Sequence, residues 1–541
     1  MLVYRLRLVS TIQCIMENGT WTNKLSEFVG PNLDIPIPIL HDLITSSVQQ
    51  HGDKIAMVCK HQSADLLPVV CNFKRSKKVE TQPYLQWTHA QLQYGADLLA
   101  HGLTQNGVKP GSTIAVLLSG RAEFHMVLRA SVKLKCPFTP INLRSAQNAK
   151  EIRHMLTLSG AKVVVVEDAF VAERLEHNVP DLMRDMQVKV MAGGKSSLDT
   201  YLSLNEIVSQ AAEDELFQKR SEALDHLPRQ LDDVVFIWFT SGTTSLPKAA
   251  PHTNKSLTCN IGSWREVFKL DDQRAWLQIL PMNSIVGSSW TLAYLIPGGS
   301  VTHVNYHFDV PSIAQAIHTG ECTDVLAVPS MIDLLAFSPV LNDPSNKGID
   351  HIIVGGSKIL RSHVEKSFQI IKCKRFSPFF GMTEGTSVCT ETLYQVPLSL
   401  QDPIYAGYAN PGSKIRICAP EGTDPVPRGV PGEIVQGGLQ KIERYLGGQG
   451  KDNFFIEGGE TWYRCGDQAI MREDGRIAIV GRYKGPSPIQ SDTSTPGADA
   501  GADMIIRGGM NIACEAVEAV ISDGTGIEVS EPDCHIRMSL I

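Results

Sequence analysis

What most limits the folds open to this chain is an alternation of helical and extended hydrophobic patterns through its first third. From His89 to Leu103 the apolar positions Leu92, Ala96, Leu99 and Leu103 recur at helical spacing, and the pattern breaks at Gly107-Val108-Lys109-Pro110-Gly111. A β-like run from Ile114 to Leu118 follows, then a helical stretch from Ala122 to Leu134, and later a strand from Lys162 to Glu167. This rhythm predicts an α/β fold of layered helices and strands. The stretch from Phe170 to Arg229 is richer in charge and less periodic, and predicts a variable surface connection between two subdomains. Leu231 to Phe239 predicts a buried strand. Beyond Gln395, short runs punctuated by Gly412, Gly422, Pro427, Gly429, Pro431, Gly432, Gly437 and Gly438 predict a small β-barrel.

Composition narrows the function. The 541 residues carry 50 Lys and Arg against 57 Asp and Glu, a net charge of −7, so there is no general basic field to gather nucleic acid. Any phosphate must be held locally. The 12 cysteines include no C-x-x-C pair, which argues against a zinc ribbon and favours a reducing compartment. No apolar run approaches the roughly 20 residues that span a bilayer. Arg5 and Arg7 interrupt the first apolar stretch, so no secretory signal is expected, and Met16 is an alternative start. A cytoplasmic protein is expected.

Three segments carry chemistry. The first is Phe239-Thr240-Ser241-Gly242-Thr243-Thr244-Ser245-Leu246-Pro247-Lys248, a hydroxyl- and glycine-rich loop behind a predicted strand. Backbone N–H groups, the hydroxyls of Thr240, Ser241, Thr243 and Thr244, and the Lys248 ammonium suit a polyphosphate, although the Walker spacing is absent. A plain polar loop is the alternative. The second is Phe380-Gly381-Met382-Thr383-Glu384, in which Glu384 suits Mg²⁺ beside phosphate oxygens or is a surface carboxylate after a turn. The third sets Asp467 one short hairpin from Arg482, through the turn Asp474-Gly475-Arg476. That pair suits a ribose diol, or equally a salt bridge flanking the hairpin.

In this order and at these separations the segments resemble the adenylate-forming superfamily of acyl- and aryl-CoA synthetases, luciferases and peptide-synthetase adenylation domains. The resemblance runs from about Leu40 to Glu518 and is supported by Pro140-Ile141-Asn142 with Glu151, Pro281 to Gly287, Gly355-Gly356-Ser357, Pro411-Gly412 and Gly432-Glu433-Ile434. The form TSGTTS-x-PKA-x-P is most similar to peroxisomal and oxalate-type acyl-CoA synthetases and to fungal relatives in secondary metabolism. It implies a large N-terminal domain over 31–481, with α/β subdomains at 31–230 and 231–395 and a β-barrel at 396–481. An extension at 1–30 would precede it. A hinge at 482–484 and a mobile α+β C-terminal domain would follow.

It also implies ATP, Mg²⁺ and CoA, and a small or medium carboxylic acid converted to an acyl-adenylate and then a thioester. Thr240 to Thr244 and Lys248 would hold the β- and γ-phosphates, Thr383 the α-phosphate or acyl oxygen, Glu384 the Mg²⁺, Asp467 and Arg482 the ribose, and Lys484 would be the hinge. The acyl pocket would be drawn from Asn283, Ser284, Gly287, Gly355, Gly356, Phe379, Phe380, Gly381 and Met382. A free-standing adenylation enzyme that loads a carrier protein, and a catalytically impaired nucleotide-binding homologue, are the alternatives.

Three features depart from the family pattern. Asn283 and Ser284 stand where relatives carry an aromatic and a histidine, making that wall smaller and more polar. Residues 485–502, dominated by Gly, Pro, Ser, Thr, Ala and Asp, predict a disordered insertion of the kind a retained intron would encode. The chain ends at Ile541 without the family's C-terminal lysine segment, so the C-terminal domain at 503–541 is expected to be truncated and turnover slow. The ending Ser539-Leu540-Ile541 is not a peroxisomal signal, which a full-length form would carry if peroxisomal.

Overall fold

The computed structural model describes residues 25–33, 37–74, 82–194, 198–240, 246–396, 404–419, 422–482, 504–507 and 510–513. The predicted α/β rhythm is present. Thr88 caps the helix His89–Gln105 in a capping box with Gln91, and the chain turns out of it through Gly107 and Gly111, both at positive φ. The strand Thr113–Leu117 and the helix Ala122–Lys133 follow.

Two large sheets form the body. The seven-stranded sheet runs in the order Lys248–Thr253, Val234–Thr240, Phe138–Pro140, Thr113–Leu117, Ala161–Val166, Val188–Met191, Leu202–Ser203. All its neighbours are parallel except the first pair. The nine-stranded sheet runs Tyr408–Ala409, Thr386–Thr390, Cys373–Met382, Ile349–Val354, Asp324–Ala327, Ala275–Gln278, Ser300–His303, Ile55–Ser63, Tyr84–Thr88. Strands from the first hundred residues thus complete the second sheet, while Val234–Thr240 and Lys248–Thr253 belong to the first. The layers interleave in sequence rather than meeting at residue 230.

One hydrophobic core joins both sheets. Every residue of the helix Ala122–Lys133 is buried between them. Three of its polar side chains are paired closely: Glu123 with Arg121 at 2.8 Å, Lys133 with Asp97 at 3.0 Å and Asp225 at 2.7 Å, and His125 Nε2 with His303 Nε2 at 2.9 Å. Burial without such partners would cost several kcal/mol per charge.

The stretch from Phe170 to Arg229 corrects the sequence reading. It is no mere surface connection: Val188–Met191 and Leu202–Ser203 extend the seven-stranded sheet, and the helix Leu204–Glu213 buries Leu204, Ile207, Val208 and Ala211. Its elements are short, so their charged flanks masked a helical i, i+3, i+4, i+7 stripe.

The Gly- and Pro-punctuated C-terminal part forms a six-stranded antiparallel sheet. Among the described residues no pairing closes it into a barrel. Glu27–Val29, expected in an N-terminal extension, adds its edge strand against Ser413–Cys418. The hairpin Met504–Arg507 with Met510–Ala513 is the described part of the C-terminal region. The hinge residues Tyr483 and Lys484 and the insertion 485–502 lie outside the described residues. Among those described, no helix is long and apolar enough to cross a membrane.

Candidate functional site

The hydroxyl-rich segment joins two strands of the seven-stranded sheet. Val234–Thr240 pairs antiparallel with Lys248–Thr253, which sets Thr240 directly opposite Lys248. Ser241, Gly242, Thr243 and Thr244 lie outside the described residues. The return of the hairpin is anchored at two points. His154 Nε2, from the helix Ala149–Ser159, donates to the Pro247 carbonyl at 2.8 Å. His252 Nε2 donates to the Thr383 carbonyl at 2.8 Å, while its Nδ1 faces the Ser256 hydroxyl at 3.3 Å. Burial lowers the His252 pKa to about 4, so the ring is neutral near pH 7 and keeps one donor and one acceptor nitrogen, as its partners require. This histidine ties the first sequence segment to the second.

Glu384 is buried, and the Tyr445 hydroxyl donates to its Oε1. The Tyr445 and Tyr463 hydroxyls are 3.0 Å apart. Burial, and next the Glu384 carboxylate, push both phenols above their ordinary range, which keeps them protonated donors. Lys248 Nζ stands 5.1 Å from the centroid of the Tyr445 ring, within cation–π reach. Tyr445 therefore touches both the lysine of the first segment and the carboxylate of the second.

Tyr463 leads to the third segment, because it lies on the strand Glu460–Met471 with Asp467. That strand pairs with Ile477–Arg482 through a turn in which Gly475 has φ +87°, and the register places Asp467 opposite Arg482. Asp467 Oδ1 and Arg482 Nε are 3.4 Å apart, so the salt bridge that the sequence offered as one reading of this pair forms. Desolvation raises the Asp467 pKa to about 6; Arg482 opposes this, and the charges of Glu384 and Glu433 reinforce it. Glu433 accepts from the Gly466 N–H at 3.3 Å and pairs with Arg464 at 2.8 Å, which fixes the backbone beside Asp467.

Most of the acyl-pocket candidates lie along one edge of the nine-stranded sheet, where Ala275–Gln278, Ile349–Val354 and Cys373–Met382 end. Ligands of open α/β sheets bind outside such carboxyl ends. Ser284 caps the helix Ile285–Leu295: its Oγ accepts from the Gly287 N–H at 3.0 Å and donates to the Pro281 carbonyl at 2.7 Å. Its hydroxyl is thus engaged in the loop. Gly287 is packed so closely that a Cβ would sit 2.0 Å from the Pro281 oxygen. At Gly355 a Cβ would sit 2.3 Å from the Phe379 ring, and Gly356 has φ +82°. Phe380 and Met382 pack instead against the core of the small sheet, and Gly381 opposes Ser387 in the adjoining hairpin.

Among the described residues no three His, Cys, Asp or Glu side chains gather as a metal cage. The donor set fits a Mg²⁺ that takes one carboxylate from Glu384 and its other ligands from phosphate and water. Sequence reading missed Tyr445, Tyr463, His252 and His154 as partners in the site. Tyr463 lies four positions before Asp467 on the same strand, but the others had no local motif to mark them.

Comparison with known proteins identifies a family and a shared fold. The model of the family described as AMP-binding enzyme matches residues 44–446. An acyl-CoA ligase of the fungus Pestalotiopsis microspora is 25% identical over 525 residues, covering 93% of this chain and 84% of that protein. A feruloyl-CoA synthase of Amycolatopsis is 28% identical over 443 residues, covering 82% of this chain and 79% of its own. Among solved structures, a long-chain-fatty-acid-CoA ligase from Archaeoglobus fulgidus superposes with a TM-score of 0.68 at 20% identity, over 85% of this chain and 87% of that one.

Proposed function

The chain belongs to the AMP-binding enzyme family, and from that premise we infer that it is an ATP-dependent, AMP-forming acyl-CoA ligase. A carboxylate oxygen attacks the α-phosphorus of ATP and pyrophosphate leaves. The sulfur of CoA then attacks the acyl carbon, AMP leaves with the bonding pair, and the thiol proton passes to solvent. Neither step needs a protein nucleophile, so alignment and charge neutralisation supply the catalysis.

The observation that carries this reading is the contact of Tyr445 with Lys248, with Glu384 and with Tyr463, which shares the strand Glu460–Met471 with Asp467. Lys248 and the Thr240 end of the hairpin hold the β- and γ-phosphates. Thr383 serves the α-phosphate or the acyl oxygen, and Glu384 holds Mg²⁺, whose bound charge would offset that of the phosphates. Asp467 and Arg482 grip the ribose, and Lys484 is the hinge. The acid is small or medium in size, and CoA is the acceptor.

The test is acid-dependent pyrophosphate release across a panel of acids. Lys248→Ala and Glu384→Ala each lower it by at least roughly tenfold, as loss of a preorganised charged group does. His307→Ala, an exposed residue outside the site, leaves it unchanged. Equal effects of all three overturn the assignment. Offering CoA or a holo carrier protein as acceptor then identifies the thioester, and a product on the carrier alone would replace CoA in this reading.

A further inference from the structure

The strand Cys373–Met382 delivers Thr383 and Glu384 to the site, and its alternation sorts its side chains between two faces of the sheet. Phe376 points to one face, where its ring centroid lies 6.4 Å from that of Phe368 in the helix Arg361–Gln369. Ser377 and Phe379 point to the other. Ser377 Oγ meets His351 Nε2 at 2.8 Å, and the His351 ring lies 5.4 Å from Phe268, the last residue of the helix Asn254–Phe268. That same helix begins beside His252, which holds the Thr383 carbonyl. The face that carries Phe379 is therefore the face covered between the nucleotide end of the site and the helix Asn254–Phe268.

An acyl tail running away from Thr383 along this face meets a wall of aromatic rings. Phe379 lies against Gly355, where even a Cβ would collide with its ring, and its centroid is 5.9 Å from that of Trp290 in the helix Ile285–Leu295. Trp290 stacks on Trp264 at 4.6 Å and on Trp276 at 5.7 Å and lies 5.4 Å from Phe268. Trp290 is 0% exposed and Phe379 6%. Thr383 lies four residue steps beyond Phe379, about 13 Å of strand at ~3.3 Å per residue, and the Phe379 ring itself takes up part of that span.

We propose that Trp290 and Phe379 close the far end of the acyl site, so that the acid activated by this protein is short, of the size of butyrate or hexanoate, and long fatty acids are excluded. The inference rests on the acid-activating reading above and adds to it the size of the acid and the residues that set it. Close-packed rings of this kind act as a fixed stop, because displacing any one of them means opening a cavity or overpacking the core around the others.

The experiment is a chain-length series of saturated acids from acetate to laurate, scored as kcat/KM for acid-dependent pyrophosphate release by the whole chain. The wild type uses the short acids and falls by at least roughly tenfold for octanoate and beyond, since each methylene that a pocket cannot accept costs about that much. Phe379→Ala and Trp290→Ala move the profile toward octanoate and laurate, changing the octanoate-to-butyrate ratio at least roughly tenfold whatever happens to total activity. Phe379→Leu, a milder change in core volume, moves it the same way by less. A wild type that prefers laurate, or folded variants whose ratio is unchanged, overturns the proposal. If the variants do not fold, the wild-type profile decides alone. If no acid releases pyrophosphate, the activity reading itself fails. Calorimetric binding of non-hydrolysable acyl-adenylate analogues with butyryl and lauroyl tails then still decides the size limit: tighter binding of the butyryl analogue supports it, and equal or tighter binding of the lauroyl analogue refutes it.

Discussion

Tyr445→Phe is the sharpest test of how the site is held. The substitution removes one oxygen and leaves the ring. The lost hydroxyl donates to Glu384 Oε1 and lies 3.0 Å from the Tyr463 hydroxyl, and both Tyr445 and Glu384 are buried. A hydrogen bond to a charged group contributes about 1.5–3 kcal/mol, and leaving that group unsatisfied in the interior costs at least as much. A loss of ~2 kcal/mol, roughly thirtyfold in the folding equilibrium, is expected, read as a lower urea midpoint at unchanged slope. The cation–π contact with Lys248 survives in Phe, whereas Tyr445→Leu removes it as well and costs about 0.5–2 kcal/mol more. If Glu384 holds Mg²⁺ as proposed, the same hydroxyl orients a metal ligand, and Tyr445→Phe also lowers acid-dependent pyrophosphate release by roughly tenfold to a hundredfold. A Phe variant with wild-type midpoint and wild-type turnover would refute the assignment of Tyr445 as the support of Glu384.

The pKa of Asp467, raised from 3.8 to about 6, has consequences for folding and for binding. The folded state holds an extra proton between about pH 4 and 6, so this group favours folding below that window and the contribution disappears as the pH rises through 6. If Asp467 grips the ribose as proposed, its ionised carboxylate is the better acceptor, so ATP affinity strengthens as the pH rises through about 6, and titration calorimetry on Asp467→Asn should find that step gone. His89, His125 and His252 act in the opposite sense: burial lowers them from 6.5 to about 3, 3 and 4, so their neutral forms favour the fold above pH 6.5 and that stability is lost as the pH falls from 6.5 toward 3. Urea midpoints that stay flat below neutrality would count against their burial as neutral rings. Gly287→Ala places a methyl 2.0 Å from the Pro281 oxygen and should destabilise by about 1–3 kcal/mol, while Gly481→Ala, which meets nothing within 4 Å, should not, as thermal melts of the two would show.

The local patterns of the sequence determined the α/β class, the helices at His89–Gln105 and Ala122–Lys133, the strand that ends at Thr240 and the Asp467–Arg482 hairpin, because each is set by neighbours in the chain: apolar spacing, turn glycines and a capping threonine. Tertiary structure alone decided the rest. That Ile55–Ser63 completes a sheet with Ser300–His303, that the stretch around Val188–Met191 is sheet and not surface, and that Phe380 faces the small sheet while Phe379 faces Trp290 depend on contacts between segments distant in the chain. So does the position of Tyr445, which lies 61 residues beyond the carboxylate it supports and, through its ring, beneath a lysine from another sheet. A side chain's partner across the core leaves no mark on its sequence neighbours, since burial and pairing are properties of the packed chain.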